Sequence, residues 1–411
     1  MRILMLTQWF SPEPDFKGLP FAKELAKLGH KVEVLTGFPN YPSGKVYDNY
    51  KIRFLQRETM DGIPVMRVPL YPSHDNSSLK RIANYSSFAC SAATLGALMV
   101  KPADVMYVYH APATIGLPAS IINLFRRIPF VYDINDLWPD SLASTGMINS
   151  DVALKLVEKW CQFVYKLASC VTVVAPGLKD ALCARGVSLD KVKVIYNWCD
   201  ESQIVIKGRD EDLARELGLA GRFNIIFAGT MGKAQALDAV LSAAKLLDKR
   251  YPSIQFVFVG SGIDVSRLQQ KARETQLKNV LFLPRRPISE IGQILNLADV
   301  LLVHLKNDPL FRITIPSKTQ AYMAVGRPIL MGVRGDAADL VQKANAGKTC
   351  DPEDPESIAE SVIKLFSMSY NQLDALGKNG KNFYERELSL SAGVRRFEEI
   401  FKSVVKGAST T

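Results

Sequence analysis

The chain has 411 residues, 47% of them apolar and 22% charged, with a formal net charge of +10. That length fills two cores and is too long for one, and the apolar content excludes a disordered tail. The positive balance favours anionic partners, whether nucleic acid, a membrane surface or phosphorylated small molecules, and does not choose among them. The six cysteines (Cys90, Cys161, Cys170, Cys183, Cys199 and Cys350) show no C-x-x-C spacing and read as reduced thiols of a cytosolic core, not as a zinc site.

From the amino terminus, "MRILMLTQWF" reads as a buried strand and not as a signal peptide. Thr7 and Gln8 interrupt its apolar run, and no small-residue cleavage site follows. Phe21, Leu25 and Leu28 then recur at helical spacing, and "KVEVLTGF" is rich in β-branched residues, so the three segments form a β-α-β unit. The stretch from Lys80 to Lys101 has basic ends and a nearly uncharged, small-residue middle. It is too short for a membrane span and reads either as a buried helix or as a basic-flanked helix at a membrane interface. "ADVMYVYH", "PFVYDIND", "CVTVVAP" and "KVKVIYN" follow as buried strands with helices between them, an alternation that predicts a parallel sheet covered on both faces.

The pattern restarts after "NWCDESQIVIKGRDEDLARELGL", a polar stretch suited to a linker. "FNIIFAGTMGKAQAL", "IQFVFVGSG", "NVLFLP", "ADVLLVH" and "PILMGV" supply a second set of strands. The expectation is an α/β chain of two Rossmann-like doubly wound domains, residues 1–204 and 205–390, with an amphipathic helix at 391–407 packing back on the first. Ligands then belong at the carboxyl ends of the strands, in a cleft between the domains.

Several residues could carry chemistry there. Gly229, Thr230 and Gly232 form a strand-to-helix turn with Lys233 just inside, which suits a diphosphate or is simply a tight turn with a solvated lysine. Neither the Walker spacing nor the full G-x-G-x-x-G is present. Arg285, beside Arg286 after another strand, is a second phosphate candidate or a solvated loop residue. Ser317 is placed to cap a helix ending at Gly326, with Lys318 and Gln320 in its first turn. A lysine there opposes the helix dipole, a conflict that a bound anion would relieve. "VYDINDLWPDS" puts Asp133, Asp136 and Asp140 at a strand end around Trp138, either an Asp-rich turn or carboxylates that orient a hydroxyl beside a sugar-stacking ring. His110 and His304 also close strands. No metal-binding motif is present, and the Asp210/Asp212 pair lies in the polar linker.

The chain resembles the family-4 retaining glycosyltransferases of GT-B fold. The likeness is carried, in order, by "MRILMLTQWFSPEP", "ELAKLGHKVEVLTGFPNYPSGK", "DLWPDSL", "CVTVVAPGLKDALCARGVSLDKVKVIYNWCDE", "FAGTMGKAQAL" and "PSKTQAYMAVGRPIL". "LTGFPNYPSGK" and "NWCDE" look like the branch serving bacterial O-antigen and capsule assembly, including transferases of N-acetylfucosamine. The resemblance implies a UDP-sugar held by the second domain and an acceptor held by the first, and a lipid-linked saccharide acceptor at an anionic membrane surface suits the basic Lys80 to Lys101 region and the net charge. It implies retention of configuration and no metal or other cofactor.

On the family pattern Lys233, with the Gly229 turn, faces the donor diphosphate and Lys318 approaches it from the other side, and Thr230, Arg285, Ser317 and Gln320 are expected to complete the donor site. Asp133, Asp136 and His110 stand at the catalytic position, and Asp15, Lys17 and Gly18 occupy the phosphate or acceptor loop, where only Gly18 remains of the usual glycine pair. The family's two glutamates, seven residues apart, fall here on Ile313 and Ala321, so both carboxylates are missing. Gln320, which has both donors and an acceptor, is expected to read the ribose in their place. Two other readings remain open: a nucleotide-sugar-binding subunit that transfers nothing, and a UDP-sugar epimerase of similar fold.

Overall fold

The computed structural model describes the whole chain except residues 15–16, 75–76, 111, 145, 149, 202–207 and 409–411. Its contacts divide it into two compact units. The first comprises residues 1–174, 178–195 and 393–411, and the second residues 175–177 and 196–392. The 204/205 boundary expected from the linker lies outside the described residues, as does Asp15.

The first unit is built on eight strands: β1 (Arg2–Leu6), β2 (Lys31–Gly37), β3 (Gln56–Met60), β4 (Ile63–Val68), β5 (Val105–His110), β6 (Phe130–Ile134), β7 (Cys170–Val173) and β8 (Val192–Val194). Their order is β3-β4-β2-β1-β5-β6-β7-β8. All neighbours pair in parallel except β3 with β4, so an all-parallel sheet is corrected at one edge. The reason is local. Asp61 and Gly62 both take positive φ, 47° and 84°, which gives the turn the twist a tight hairpin requires. Arg67 on β4 is buried beneath that hairpin, donating to Glu58 at 2.6 Å and to the Gly37 carbonyl at 2.9 Å.

The basic-flanked segment forms the helix Ser78–Ser91, a π-turn over Ala92–Gly96 and a short helix Ala97–Met99. Tyr85, Phe88, Ala89, Ala92 and Ala93 face inward, while Leu79, Leu98 and Met99 stay exposed. Packing explains its small residues: a Cβ on Gly96 would sit 2.7 Å from the Leu35 side chain on β2. The carboxyl-terminal helix, Leu390–Ala408, belongs to this unit from Gly393 onward. Its Phe397 packs edge-on against Phe21 and Tyr107, with ring centroids 5.2 and 5.4 Å away.

The second unit holds β9 (Phe223–Ala228), β10 (Ile254–Val259), β11 (Val280–Leu283), β12 (Val300–His304), β13 (Ile329–Gly332) and β14 (Gly347–Thr349). All pair in parallel, in the order β11-β10-β9-β12-β13-β14. Alternate residues feed two separate cores, Ile226 and Val257 on one face and Ile225 and Phe256 on the other. Burial on both faces makes these strands continuous apolar runs, each large side chain contributing roughly 1.5–3 kcal/mol. Cys161, Cys170, Cys199 and Cys350 are buried, whereas Cys183 is half-buried and Cys90 exposed, so the core-thiol reading holds for four of the six.

Candidate functional site

In the second unit the chain leaves β9 toward β10 on one side, and β12 flanks it on the other. This change of direction opens a crevice at the strands' carboxyl ends, where doubly wound sheets bind ligands. Gly229 follows β9 with φ 134°, and Gly260 follows β10 with φ 142°. A Cβ on Gly260 would lie 2.1 Å from the Gly229 carbonyl oxygen, so the two turns approach backbone to backbone, as only glycine permits. Hydrogen bonds from Gly229 N to Val259 O and from Met231 N to Ser261 O, both 2.9 Å, join them. The second turn, "GSG" at 260–262, was not singled out above, although glycines directly after a strand were the signal for it. Thr230 and Lys233 are exposed, and Lys233 opens a short 3-10 turn ahead of the helix Leu237–Asp248.

The helix Ser317–Val325 brings the opposing charge. Pro316 is its cap residue and no side chain caps it, so Ser317 is its first residue and not the N-cap expected. Pro316 has φ −57°, which suits entry into a helix, and its carbonyl accepts from Thr319 N at 2.9 Å, so the backbone closes the first turn where no side chain does. Tyr322 pins the helix beneath β9, its hydroxyl accepting from Ala228 N at 2.9 Å. Residues four apart share a helix face, so the pinned Tyr322 aims Lys318 at the end of the same strand. Lys318 Nζ lies 3.6 Å above the Phe227 ring centroid and 3.2 Å from where a Gly229 Cβ would be.

Among the described residues Lys318 has no ion-pair partner, and burial lowers its pKa to about 7. Gln320, 1% exposed, turns inward, its amide nitrogen donating to the Pro316 carbonyl at 2.9 Å and the Ser317 carbonyl at 3.1 Å. Both amide protons are thus held by its own helix, which corrects the expectation of a two-way ribose reader. Only the amide oxygen can face a ligand. Arg285 is exposed in the loop after β11. His304 is fixed structurally, its ring bonding the Gln235 carbonyl at 2.7 Å and accepting from Glu353 N at 3.2 Å.

In the first unit, Asp133 on β6 and Lys17 come together as a fully buried ion pair at 2.6 Å. Tyr107 and Thr172 also donate to Asp133, at 2.8 and 2.7 Å. Burial pushes the Lys17 pKa down and the facing carboxylate opposes that shift. Lys17 is therefore committed to a carboxylate and does not line a surface phosphate loop. Asp133 correspondingly holds Lys17 and is not displayed to solvent. Gly18 is buried at the start of the helix Leu19–Lys27. Asp136, two residues beyond β6, is exposed, though close neighbours desolvate it enough to raise its pKa.

His110 closes β5, fully buried and stacked on Tyr132 at 5.1 Å, with Trp138 edge-on at 5.9 Å. Neither ring nitrogen has a hydrogen-bond partner among the described residues. Burial lowers its pKa to about 3 despite the opposing pull of Asp133. It is a neutral imidazole with unused hydrogen-bonding capacity, a state that needs an explanation in a folded core.

Two family models match the chain, a glycosyl transferase 4-like domain over residues 19–198 and glycosyl transferases group 1 over residues 209–383. WcaI of Escherichia coli strain K12, by name a colanic acid biosynthesis glycosyl transferase, is 27% identical over 413 aligned residues, covering 97% of this chain and 98% of its own. The N-acetyl-alpha-D-glucosaminyl L-malate synthase of Bacillus anthracis is 20% identical, covering 95% of this chain and 93% of its own. Solved structures share the fold, two of them as follows. Sucrose-phosphate synthase from Thermosynechococcus elongatus has a TM-score of 0.69 at 15% identity, covering 99% of both chains. Anabaena HepE in complex with UDP and glucose has a TM-score of 0.67 at 18% identity, covering 98% of this chain and 99% of its own.

Proposed function

Because the chain belongs to the glycosyltransferases of GT-B fold, we propose that it moves a sugar from a UDP-sugar to a lipid-linked saccharide, with retention of configuration, in O-antigen or capsule synthesis. The observation that carries this is Lys318, a part-buried ammonium with no carboxylate partner among the described residues, held at a glycine turn on a sheet's ligand-binding edge. A leaving diphosphate supplies the missing counter-charge, and the exposed Lys233 beside the Gly229 turn adds to it. Charge neutralisation by these groups serves the departing nucleotide without a metal.

The first unit holds the acceptor, and His110, neutral at cytosolic pH, hydrogen-bonds a sugar hydroxyl instead of acting as an acid. Asp133 acts through Lys17 as a positioning group. The sequence resemblance favours an N-acetylated deoxy sugar such as L-FucNAc, with the UDP-sugar as the sole small-molecule requirement. A UDP-sugar donor is supported by HepE, a structural neighbour solved in complex with UDP and glucose and with UDP-glucose.

The acceptor's lipid brings the chain to a membrane surface. Among the described residues no helix is long and apolar enough to cross a membrane. Leu98, Met99, Leu124 and Phe125 are exposed, and Arg126 donates to the Ala97 carbonyl at 2.9 Å, which joins the end of the helix Gly116–Arg126 to the helix Ala97–Met99. From residue 76 to 132 the sequence has one acidic residue, Asp104, against Lys80, Arg81, Lys101, Arg126 and Arg127. An exposed apolar patch with Lys101, Arg126 and Arg127 next to it in the sequence suits peripheral docking on anionic lipid. Equal sedimentation with anionic and neutral vesicles would rule this docking out.

Transfer is tested by presenting UDP-sugars one at a time with membrane-extracted polyprenyl diphosphate saccharides and reading products by mass. UDP release that requires the acceptor supports transfer. UDP binding without release points to the binding-subunit reading, which the absent glutamate pair at Ile313 and Ala321 favours. Free sugar without acceptor points to the epimerase.

A further inference from the structure

We propose that Trp9, Tyr41 and Arg81 form a subsite for a pyranose carrying an anomeric phosphate. This deepens the acceptor half of the proposed function and rests on it only for the name acceptor, because a glycosyl phosphate would bind here whether or not transfer follows.

Trp9 follows β1 and Tyr41 follows β2, so both lie at the carboxyl edge of adjacent strands. Their ring centroids are 4.9 Å apart at an interplanar angle of 31°. Tyr85 meets Trp9 edge-on at 6.4 Å and His74 meets Tyr41 edge-on at 4.7 Å, which extends the cluster to four rings. Trp9, Tyr41 and His74 are only partly buried, so ring surface remains to be covered.

Glu13 holds the two strand-end loops in this register. Its carboxylate accepts from Asn40 N and Tyr41 N at 2.7 and 2.8 Å, and from Phe10 N at 3.2 Å. A carboxylate that is 3% exposed and ties three backbone amides across two loops is a device for fixing the rings, at the cost of its own desolvation.

The polar groups around these rings are incomplete. Gln8 donates to Asn84 at 2.6 Å, and Asn84 donates to Asn40 at 3.1 Å, a buried relay beneath the loops. Gln8 Oε1 nevertheless has no partner among the described residues, although the residue is 1% exposed, and the same is true of Ser73 Oγ at 6% exposed. Arg81 Nε is also buried without a partner, and Arg81 has no carboxylate among the described residues. Its charge reaches both His74 and Tyr85, which places it at the aromatic cluster. Folded interiors leave few such groups unsatisfied, and here three belong to residues next to the rings or one helical turn away, Gln8 beside Trp9, Ser73 beside His74 and Arg81 four residues before Tyr85.

Their chemistry defines the ligand. Aromatic faces accept the C–H face of a pyranose and exclude water from it. Gln8 Oε1 and Ser73 Oγ accept hydroxyl protons. A guanidinium without a carboxylate takes a phosphate through its fork, and Arg81 lies in the first turn of the helix Ser78–Ser91, whose dipole favours the same anion.

The test uses the full chain with N-acetylglucosamine 1-phosphate as a soluble probe, followed by tryptophan fluorescence and saturation-transfer NMR. Arg81→Ala should weaken the probe at least tenfold, and Arg81→Lys, which keeps the charge but not the fork, should recover only part. Trp9→Phe should lose the transfer of saturation to the pyranose C–H protons while keeping the fold. UDP binding by calorimetry should be unchanged in all three, whereas Lys318→Met should weaken UDP and leave the probe alone. Failure of this proposal is thereby separable from failure of the donor reading. Inorganic phosphate binding as tightly as the sugar phosphate, or unchanged affinity in Arg81→Ala, would overturn it. A short-chain polyprenyl diphosphate sugar in a parallel arm separates the two sources of this chemistry. Tighter binding than the soluble probe identifies the lipid-linked form, and equal binding identifies the sugar phosphate alone as the determinant.

Discussion

The two units each withdraw a lysine from water, and the two lysines have opposite surroundings. Lys17 in the first unit has Asp133 at 2.6 Å, with both side chains fully buried. Lys318 in the second has an aromatic face and a glycine turn, and no carboxylate among the described residues. A buried charge that already has its counter-ion is complete and holds structure together. One without it is costly in the free protein, and that cost is recovered only when an anion arrives. Pairing therefore separates a structural lysine from a binding one better than burial does.

The comparison breaks first at the closed pair. Lys17→Met leaves the Asp133 carboxylate buried beside Tyr107 and Thr172 without a cation, and should cost about 3–5 kcal/mol. Urea unfolding followed by fluorescence reports on it, since Trp9, Trp138 and Trp160 lie in the first unit. The double variant Lys17→Met with Asp133→Asn should regain most of the loss. A Lys17→Met protein that unfolds at the wild-type urea concentration yet loses acceptor-dependent turnover would make Lys17 a ligand group, and the contrast would collapse.

Lys318 should behave the other way. Lys318→Met should lower turnover about 10²–10³-fold, the effect of removing one preorganised donor from a developing anion, while making the free protein more stable. The sign follows from its pKa of about 7, below the ordinary lysine value. The fold disfavours the charged form, so the penalty is fully present below about pH 7 and disappears as pH rises toward the unfolded value near 10.5. The variant's advantage, on the order of 1–3 kcal/mol after allowing for partial exposure, is accordingly largest at pH 6. A bound diphosphate raises the same pKa. Calorimetry at pH 8 in two buffers of different ionisation enthalpy should then show proton uptake, with UDP affinity falling as pH climbs above 7. No uptake would mean that Lys318 does not meet the nucleotide.

How much of this was legible in the sequence follows from range. The strands declared themselves because parallel strands buried on both faces are unbroken apolar runs, as in "NIIFA" and "QFVFV". The β3–β4 hairpin escaped because its outer strand is polar and half-exposed, although Asp61-Gly62 between extended segments was a readable turn signal. β14, three residues long, offers too little pattern to find. Lys318 was legible from a local conflict, a cation in a helix's first turn. The Lys17–Asp133 pair joins residues 116 apart, and no local rule reports such a contact. The aromatic cluster escaped for the same reason, being assembled from two strand ends, a loop and a helix.

The smallest effect concerns Gln320, which sits beside Lys318 but is satisfied as Lys17 is. Its amide nitrogen bonds the carbonyls of Pro316 and Ser317, so Gln320→Ala removes a tie within the helix's first turn and should cost about 1 kcal/mol of stability. Its oxygen is the one group left for a ribose hydroxyl. If it accepts one, the donor Michaelis constant should rise about tenfold or less, the scale of a single neutral hydrogen bond, with turnover at saturation unchanged. An unchanged Michaelis constant would make Gln320 purely structural, and the missing carboxylate at Ala321 would then have no substitute on this helix. In that case Ala321→Glu, which restores the family's carboxylate at the half-buried next position, should tighten UDP where Gln320 did not.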